Sequence, residues 1–165
     1  GGFGLNALKS GAASVLSVDS SQPALDRYAR SLTQNGLQDG RAELLCANVK
    51  DFIPVAVKEG RSYDLVVCDP PPFARRRDHV NSAASVYKDI NRRVMQLING
   101  GELLTFTCSP FIDAHLFRQI VFSAAYESGR KVRLVSKLGP GVDHPVNICH
   151  IEGEYLSGLL LHVSD

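Results

Sequence analysis

The sequence predicts an α/β fold built on a doubly wound, mostly parallel sheet. Segments with the composition of strands alternate with segments of helical periodicity along the whole 165-residue chain. The predicted strands are almost continuously apolar, which is typical of a sheet that helices cover on both faces. In such sheets a ligand binds outside the carboxyl ends of the strands. The residues at those ends are therefore the first candidates for function.

The first part of the chain predicts strands that each end at an acid or a cysteine. A serine cap, Pro23 in the first turn and Gly36 as the stop predict a helix over 20–36. A short helix or turn is expected at about 49–59, and the glycines at the start of the chain open the first helix. The strands predicted here are 15–19, 42–46 and 64–69.

The second part of the chain begins with consecutive prolines, which exclude regular structure and predict a loop over 70–78. A helix is predicted over 82–100, and two glycines then introduce a strand over 100–108. The helix prediction depends on an apolar stripe at helical spacing, formed by Val86, Ile90, Val94 and Leu97. The remaining elements are a helix over 111–128, strands over 131–138 and 156–164, and an irregular loop over 139–155.

The composition is that of an ordinary globular domain, with 44% hydrophobic and 21% charged residues. No apolar stretch is long enough to span a bilayer and no basic-then-apolar leader is present, so we expect a cytoplasmic protein without membrane contact. The cysteines are widely separated, which argues against a metal site or a disulfide framework and fits a reducing compartment. They are Cys46, Cys68, Cys108 and Cys149.

The net charge of +1 does not by itself indicate a nucleic-acid binder. Basic residues nevertheless cluster after the third predicted strand, where they form either a solvated surface or a contact for phosphates. They are Arg75, Arg76, Arg77, His79, Lys88, Arg92 and Arg93.

The glycine-rich start of the chain is a candidate for close approach by a ligand. The chain opens at Gly1, so we expect the first strand of the sheet to lie outside it. Glycines here leave the backbone accessible. Asp19 follows at a strand end, near the spacing at which an acid binds ribose hydroxyls in nucleotide-binding folds; the alternative is a turn or cap aspartate. Asn48, just past the next strand, is either a contact for a base edge or an ordinary loop residue.

The segment at the end of the third predicted strand is a more specific indication of a ligand site. Asp69, Pro70 and Pro71 place a carboxylate and rigid carbonyl groups at a strand end, either for a ligand or as a stiffened turn. Side-chain alternation directs Cys68 to the opposite face, into the core. Cys108 ends the fourth strand and is either a buried thiol or a nucleophile.

Six segments together carry a resemblance to a known family: GGFG, VDSSQPALDRYARSLTQNG, DLVVCDPPPFARRR, YKDINRRVMQLINGGELLTFTCS, DHP and EGEYLSG. They are similar to the class I S-adenosylmethionine-dependent methyltransferases of the large-subunit rRNA methyltransferase I type. This family methylates carbon 5 of a cytosine in 23S rRNA. The resemblance implies a Rossmann-like methyltransferase domain over 1–165 that lacks its first strand and the PUA-type RNA-binding domain found N-terminal to it in the family. It allows a homodimer.

The resemblance also implies roles for individual residues. Cys108 is the expected nucleophile. The resemblance leaves open which base removes the C5 proton, and Asp69 is the best placed carboxylate for that second catalytic role. The cofactor, S-adenosylmethionine, is expected to contact Gly1, Gly2, Phe3, Gly4, Asp19, Ser20, Asn48, Val49 and Asp69. The RNA is expected to contact Pro70, Pro71, Phe73, Arg75, Arg76 and Lys88.

Two positions depart from the family pattern, because Pro72 stands where lysine is common and Asn48 where aspartate is usual. Three alternatives stay open. The acid–proline–proline segment followed by Phe73 also resembles the motif of amino-group methyltransferases, which need no thiol. The chain could instead be a non-catalytic RNA-binding remnant. A nicotinamide-dependent dehydrogenase is disfavoured because the G-x-G-x-x-G pattern is missing.

Overall fold

The computed structural model describes residues 1–74, 76–150, 153 and 155–165. The chain forms two compact units, Gly1–Val55 and Ala56–Asp165. Helices and strands alternate in both, which confirms the predicted α/β class.

The first unit contains a pair of parallel strands. Their register places Asp19 opposite Cys46, so the two strands end side by side. A small core is formed by Leu8, Tyr28 and Leu32. The elements are α1 (Gly2–Lys9), β1 (Val15–Asp19), α2 (Gln22–Gln34), β2 (Ala42–Cys46) and α3 (Val49–Lys58), the last of which continues into the second unit.

The second unit contains a four-stranded sheet in the order β3-β4-β6-β5. Strand β6 runs antiparallel to both of its neighbours, while β3 and β4 are parallel, so β3, β4 and β5 share one direction. The mostly parallel sheet is thus confirmed. The elements are β3 (Tyr63–Cys68), a 3-10 turn (Arg77–His79), α4 (Val80–Met95), β4 (Ile98–Thr107), α5 (Ala114–Ser128), β5 (Lys131–Leu138) and β6 (Ser157–Ser164).

Helices α4 and α5 pack against each other and against β4 and β6. Alternate residues of the central strands, such as Leu103 and Leu161, are fully buried, whereas their neighbours Leu104 and Leu160 are half-buried. This alternation follows from the pleat of a strand, which directs successive side chains to opposite faces.

The predicted boundary between α4 and β4 is wrong. The helix ends at Met95 and the strand already begins at Ile98, before the two glycines. Gly100 has a positive φ of 72°, and a Cβ at Gly101 would overlap the carbonyl oxygen of Asp64. These glycines therefore form an irregularity inside the strand rather than a turn before it.

The predicted helix starts at 20 and 111 are also too early. The Ser21 hydroxyl accepts a hydrogen bond from the Ala24 N–H at 3.3 Å, so α2 begins after Ser21. The Asp113 carboxylate accepts one from the Leu116 N–H at 2.8 Å and caps α5. Both side chains satisfy a backbone donor that the first turn of a helix leaves unpaired.

Candidate active site

In the first unit, the ends of β1 and β2 bring together the predicted Asp19, Ser20 and Asn48. The Ala47 N–H donates to the Asp19 carbonyl at 3.0 Å, and the Cys46 thiol donates to the Ser20 carbonyl at 3.7 Å. The parallel pairing thus gathers these residues at one edge of the strand pair.

The polar side chains at this edge also shape the local turns. One oxygen of the Asp19 carboxylate accepts from the Ser21 N–H at 2.8 Å, and the Asn48 side-chain oxygen accepts from the Lys50 N–H at 2.9 Å. Asp19, Asn48 and Val49 are exposed. Asp19 and Asn48 therefore do stabilise local turns, which was the alternative interpretation from the sequence. Both side chains nevertheless stay at the surface.

Two glycines at the start of the chain, Gly1 and Gly4, have a packing role that the sequence did not reveal. A Cβ at Gly1 or Gly4 would overlap the side chain of Tyr28, which is only 4% exposed. Burial also raises the pKa of the Tyr28 phenol. At Gly2, in contrast, a Cβ would meet no atom within 4 Å, and Phe3 is 49% exposed.

In the second unit, the parallel strands β3 and β4 place Asp69 and Cys108 at the same edge of the sheet. The Cys108 thiol donates a hydrogen bond to the Pro70 carbonyl, with 3.8 Å between sulfur and oxygen. Cys108 is half-buried and Asp69 is exposed. The thiol therefore faces the loop that begins at Asp69 and Pro70, which we call the acid–proline loop, rather than the interior of the sheet.

Burial is the main cause that raises the pKa of the Cys108 thiol, and the negative charge of Asp69 raises it further. Desolvation in turn raises the pKa of the Asp69 carboxyl.

Cys68, on the preceding strand, provides the contrast. It lies opposite Thr105 in the register of β3 and β4 and is 8% exposed, which confirms its predicted core position. Burial raises the pKa of its thiol to about 12, so it stays protonated.

A buried hydroxyl cluster that sequence reasoning missed lies next to Cys108. The Ser109 hydroxyl accepts from the Ala74 N–H at 3.2 Å and lies 2.9 Å from the Tyr87 hydroxyl. The Thr107 hydroxyl accepts from the Ser109 N–H at 3.2 Å. The helical spacing of Ala83, Tyr87, Ile90, Asn91 and Val94 marks the buried face of α4, but no local pattern in the sequence connects that face with Ser109.

The structure gives individual contacts for three of the predicted RNA-binding residues. The Phe73 ring packs edge-to-face on Tyr87, with centroids 4.9 Å apart. Arg76 is exposed and pairs with Asp78 at 3.3 Å. Lys88 pairs with Glu127 of α5 at 2.7 Å. Arg75 lies outside the described residues.

Within the described part of the chain, no group of three or more histidine, cysteine, aspartate or glutamate side chains is arranged to hold a metal ion. No helix over the same residues has the length and apolarity to cross a membrane.

Comparison with known proteins matches residues 1–143 to the S-adenosylmethionine-dependent methyltransferase family. Two curated relatives are each named ribosomal RNA large subunit methyltransferase I. The one from Photobacterium profundum is 42% identical over 164 residues, and the match covers 99% of this chain and 41% of the relative. The one from Shewanella amazonensis has the same identity and coverage. The chain thus spans about two fifths of the length of these relatives.

Among solved structures, a protein described as a methyltransferase and complexed with SAH superposes with a TM-score of 0.84 at 21% identity. The superposition covers 98% of this chain and 42% of that one. At this level of sequence identity the superposition shows only that the two proteins share a fold. That fold agrees with the predicted Rossmann-like architecture.

Proposed function

Because the chain belongs to the S-adenosylmethionine-dependent methyltransferase family, we propose that it transfers a methyl group to carbon 5 of a cytosine in large-subunit ribosomal RNA. The names of the curated relatives support the RNA class. One observation supports carbon 5 as the target atom: the Cys108 thiol donates a hydrogen bond to the Pro70 carbonyl. Methylation of an amino group requires no nucleophile at that place.

The first unit has residues that fit the cofactor. The open space at Gly2 leaves the backbone accessible to the methionine part. The exposed carboxylate of Asp19 has the chemistry to accept hydrogen bonds from ribose hydroxyls. In this proposal the cofactor contacts Gly1, Gly2, Phe3, Gly4, Asp19, Ser20, Asn48 and Val49 of this unit.

S-adenosylmethionine, when bound, supplies an electrophilic methyl group on a positively charged sulfur. Cys108 supplies the nucleophile: its thiolate bonds to C6 of the cytosine, which makes C5 electron-rich enough to accept the methyl group. The thiol must first release its proton to solvent, and burial and the negative charge of Asp69 both oppose that release in the free protein. We infer that a positively charged group near Asp69 would offset its negative charge. The pKa of the Cys108 thiol would then fall, which favours the thiolate.

After methyl transfer, C5 carries both the new methyl group and its original proton. A base removes that proton, the C–H electron pair restores the C5–C6 double bond, and the C6–S bond breaks to release the Cys108 thiolate. We assign the base to Asp69, because its charge already acts on Cys108 and desolvation shifts its pKa upward, toward the range useful for proton transfer.

The RNA must present an unstacked cytosine to this edge. We propose that Pro70 and Pro71 form the floor beneath the base, that the partly accessible Phe73 stacks on it, and that Arg75, Arg76 and Lys88 bind flanking phosphates. The exposed ion pair of Arg76 is compatible with this role, because an exposed pair contributes little and exchanges readily for a phosphate.

The test is covalent trapping on the full-length protein. RNA that carries 5-fluorocytosine and S-adenosylmethionine should yield a protein–RNA adduct, because fluorine at C5 cannot leave as a proton does. Cys108→Ala should abolish the adduct and lower methyl transfer by at least about a thousandfold. Cys149→Ala, which changes an exposed cysteine, is the matched control and should keep both.

The outcomes separate the alternatives. Full methylation by the Cys108→Ala variant would rule out carbon 5 chemistry and favour an amino-group target. An inactive parent that binds no S-adenosylhomocysteine in calorimetry would favour the non-catalytic RNA-binding reading.

A further inference from the structure

We propose that Tyr87 and Ser109 are positioning residues that hold the loop over residues 70–74 against Cys108 through their buried hydroxyls. We call the contact of Tyr87, Ser109 and Ala74 the loop anchor. The inference rests on the proposed function, because it assigns these residues a part in placing the nucleophile.

The loop anchor is completely buried. Tyr87 and Ala74 are 0% exposed and Ser109 is 1% exposed. Polar groups at such depth require a partner, because an unpaired one loses its hydration without compensation. Ser109 supplies that partner twice, since it accepts from the Ala74 N–H at 3.2 Å and lies 2.9 Å from the Tyr87 hydroxyl.

The composition of the loop explains why it needs an outside anchor. Residues Pro70, Pro71 and Pro72 have no backbone N–H, so three successive positions have no donor with which to fix the loop. The Ala74 N–H donates to the residue that directly follows Cys108. At the other end of the loop, the Pro70 carbonyl accepts from Cys108 itself. The loop is therefore held to the Cys108–Ser109 dipeptide at two points.

Tyr87 is itself fixed on several sides. Its ring packs edge-to-face against Phe73 at 4.9 Å and against Phe117 at 5.9 Å between centroids. The Asn91 side-chain amide donates to the Tyr87 carbonyl at 2.9 Å. Since Phe73 belongs to the loop, Tyr87 holds the loop by its ring as well as through Ser109.

The consequence is geometric. Asp69 and Pro70 stay beside the sulfur of Cys108 only while the loop keeps its place. A shift of about 1 Å in a reacting group is enough to lower a rate about a hundredfold. Loss of the anchor should therefore lower the rate of the chemical step while RNA still binds through the rest of the surface.

The experiment uses Tyr87→Phe, Ser109→Ala and the double variant of the full-length protein. Tyr87→Phe keeps the ring and removes only the hydroxyl, whereas Ser109→Ala removes the acceptor of the Ala74 N–H. We expect kcat for RNA methylation to fall about tenfold and about a hundredfold respectively, with KM for RNA within about twofold of the parent. The double variant should be no slower than Ser109→Ala alone, because the two hydroxyls act as one unit.

A second readout does not depend on methyl transfer. Peptide mapping by mass spectrometry gives the rate at which iodoacetamide alkylates Cys108 at each pH. A released loop removes the Pro70 carbonyl and the Asp69 charge from the thiol, so the alkylation midpoint should move to lower pH in both single variants.

The matched control is Ile90→Val, a core truncation one turn further along α4 whose residue is 6% exposed. It should lower the melting temperature by a similar amount and leave both kcat and the alkylation midpoint unchanged. Parental kcat and midpoint in both hydroxyl variants, or equal effects in the control, would overturn the proposal. If the parent itself does not methylate RNA, the proposed function fails, while the alkylation midpoint still tests the anchor.

Discussion

At the scale of single residues, the surroundings of a thiol decide what it can do. Cys68 is the last residue of β3 and Cys108 directly follows β4. Cys68 is buried in the core with a thiol pKa of about 12, whereas Cys108 lies beside a carboxylate and a carbonyl. The raised pKa of Cys108 means that the free protein holds a thiol and not the thiolate that the proposed chemistry requires.

Removal of the Asp69 charge should separate thiol ionisation from catalysis. In Asp69→Asn the pKa of Cys108 should fall, because the second cause of its rise is gone, so iodoacetamide should alkylate Cys108 faster at neutral pH. Methyl transfer should nevertheless fall at least about a hundredfold, because the proposed base is lost. Asp64→Asn, at an exposed position of β3, should change neither rate. An unchanged alkylation rate in Asp69→Asn would contradict the electrostatic coupling.

At the scale of secondary structure, the carboxyl edges of β3 and β4 depend on how these strands pair. The pairing shifts between Tyr63–Ile98 and Leu65–Glu102, so β4 contains extra residues around its two glycines. After this irregularity the register runs without a break to Cys68 opposite Thr105, which sets where Asp69 and Cys108 leave the sheet.

Gly101→Ala should therefore destabilise the pairing of β3 and β4, which positions the candidate site. Its Cβ would overlap the Asp64 carbonyl, and the two strands would have to separate. We expect a loss of about 1–3 kcal/mol in the free energy of unfolding by urea denaturation, as for other overpacked sites. Gly139→Ala is the control, because a Cβ there meets no atom within 4 Å. Equal stability of the two variants would show that β3 does not restrict position 101.

At the scale of the whole molecule, the residues proposed for the cofactor and those proposed for the methyl acceptor belong mainly to different compact units. Asp19 and the glycines of α1 lie in the first, and Cys108 with the acid–proline loop lies in the second. The net charge of +1 gives the chain no global attraction to RNA, so recognition has to come from local groups.

This division predicts separable defects. Asp19→Ala should weaken binding of S-adenosylhomocysteine about tenfold to a hundredfold in calorimetry, because hydrogen bonds to a charged carboxylate are lost. Cys108→Ala should leave that affinity within about twofold. Asp26→Ala removes an exposed carboxylate that pairs with Gln22 and should have no effect. If Asp19→Ala binds S-adenosylhomocysteine with unchanged affinity, the Asp19 carboxylate serves only to accept the Ser21 N–H in the local turn.

The sequence by itself determined the alternation of strands and helices, the polar residues at the strand ends, and the core position of Cys68. These follow from local rules, namely periodicity, caps and the alternation of side chains along a strand. Only the tertiary structure decided the antiparallel course of β6, the glycines inside β4, the packing of Tyr28 on the α1 glycines, and the hydroxyl contact between Tyr87 and Ser109. Each of these depends on two segments far apart in the chain, and a single sequence contains no local signal for which distant atoms will meet.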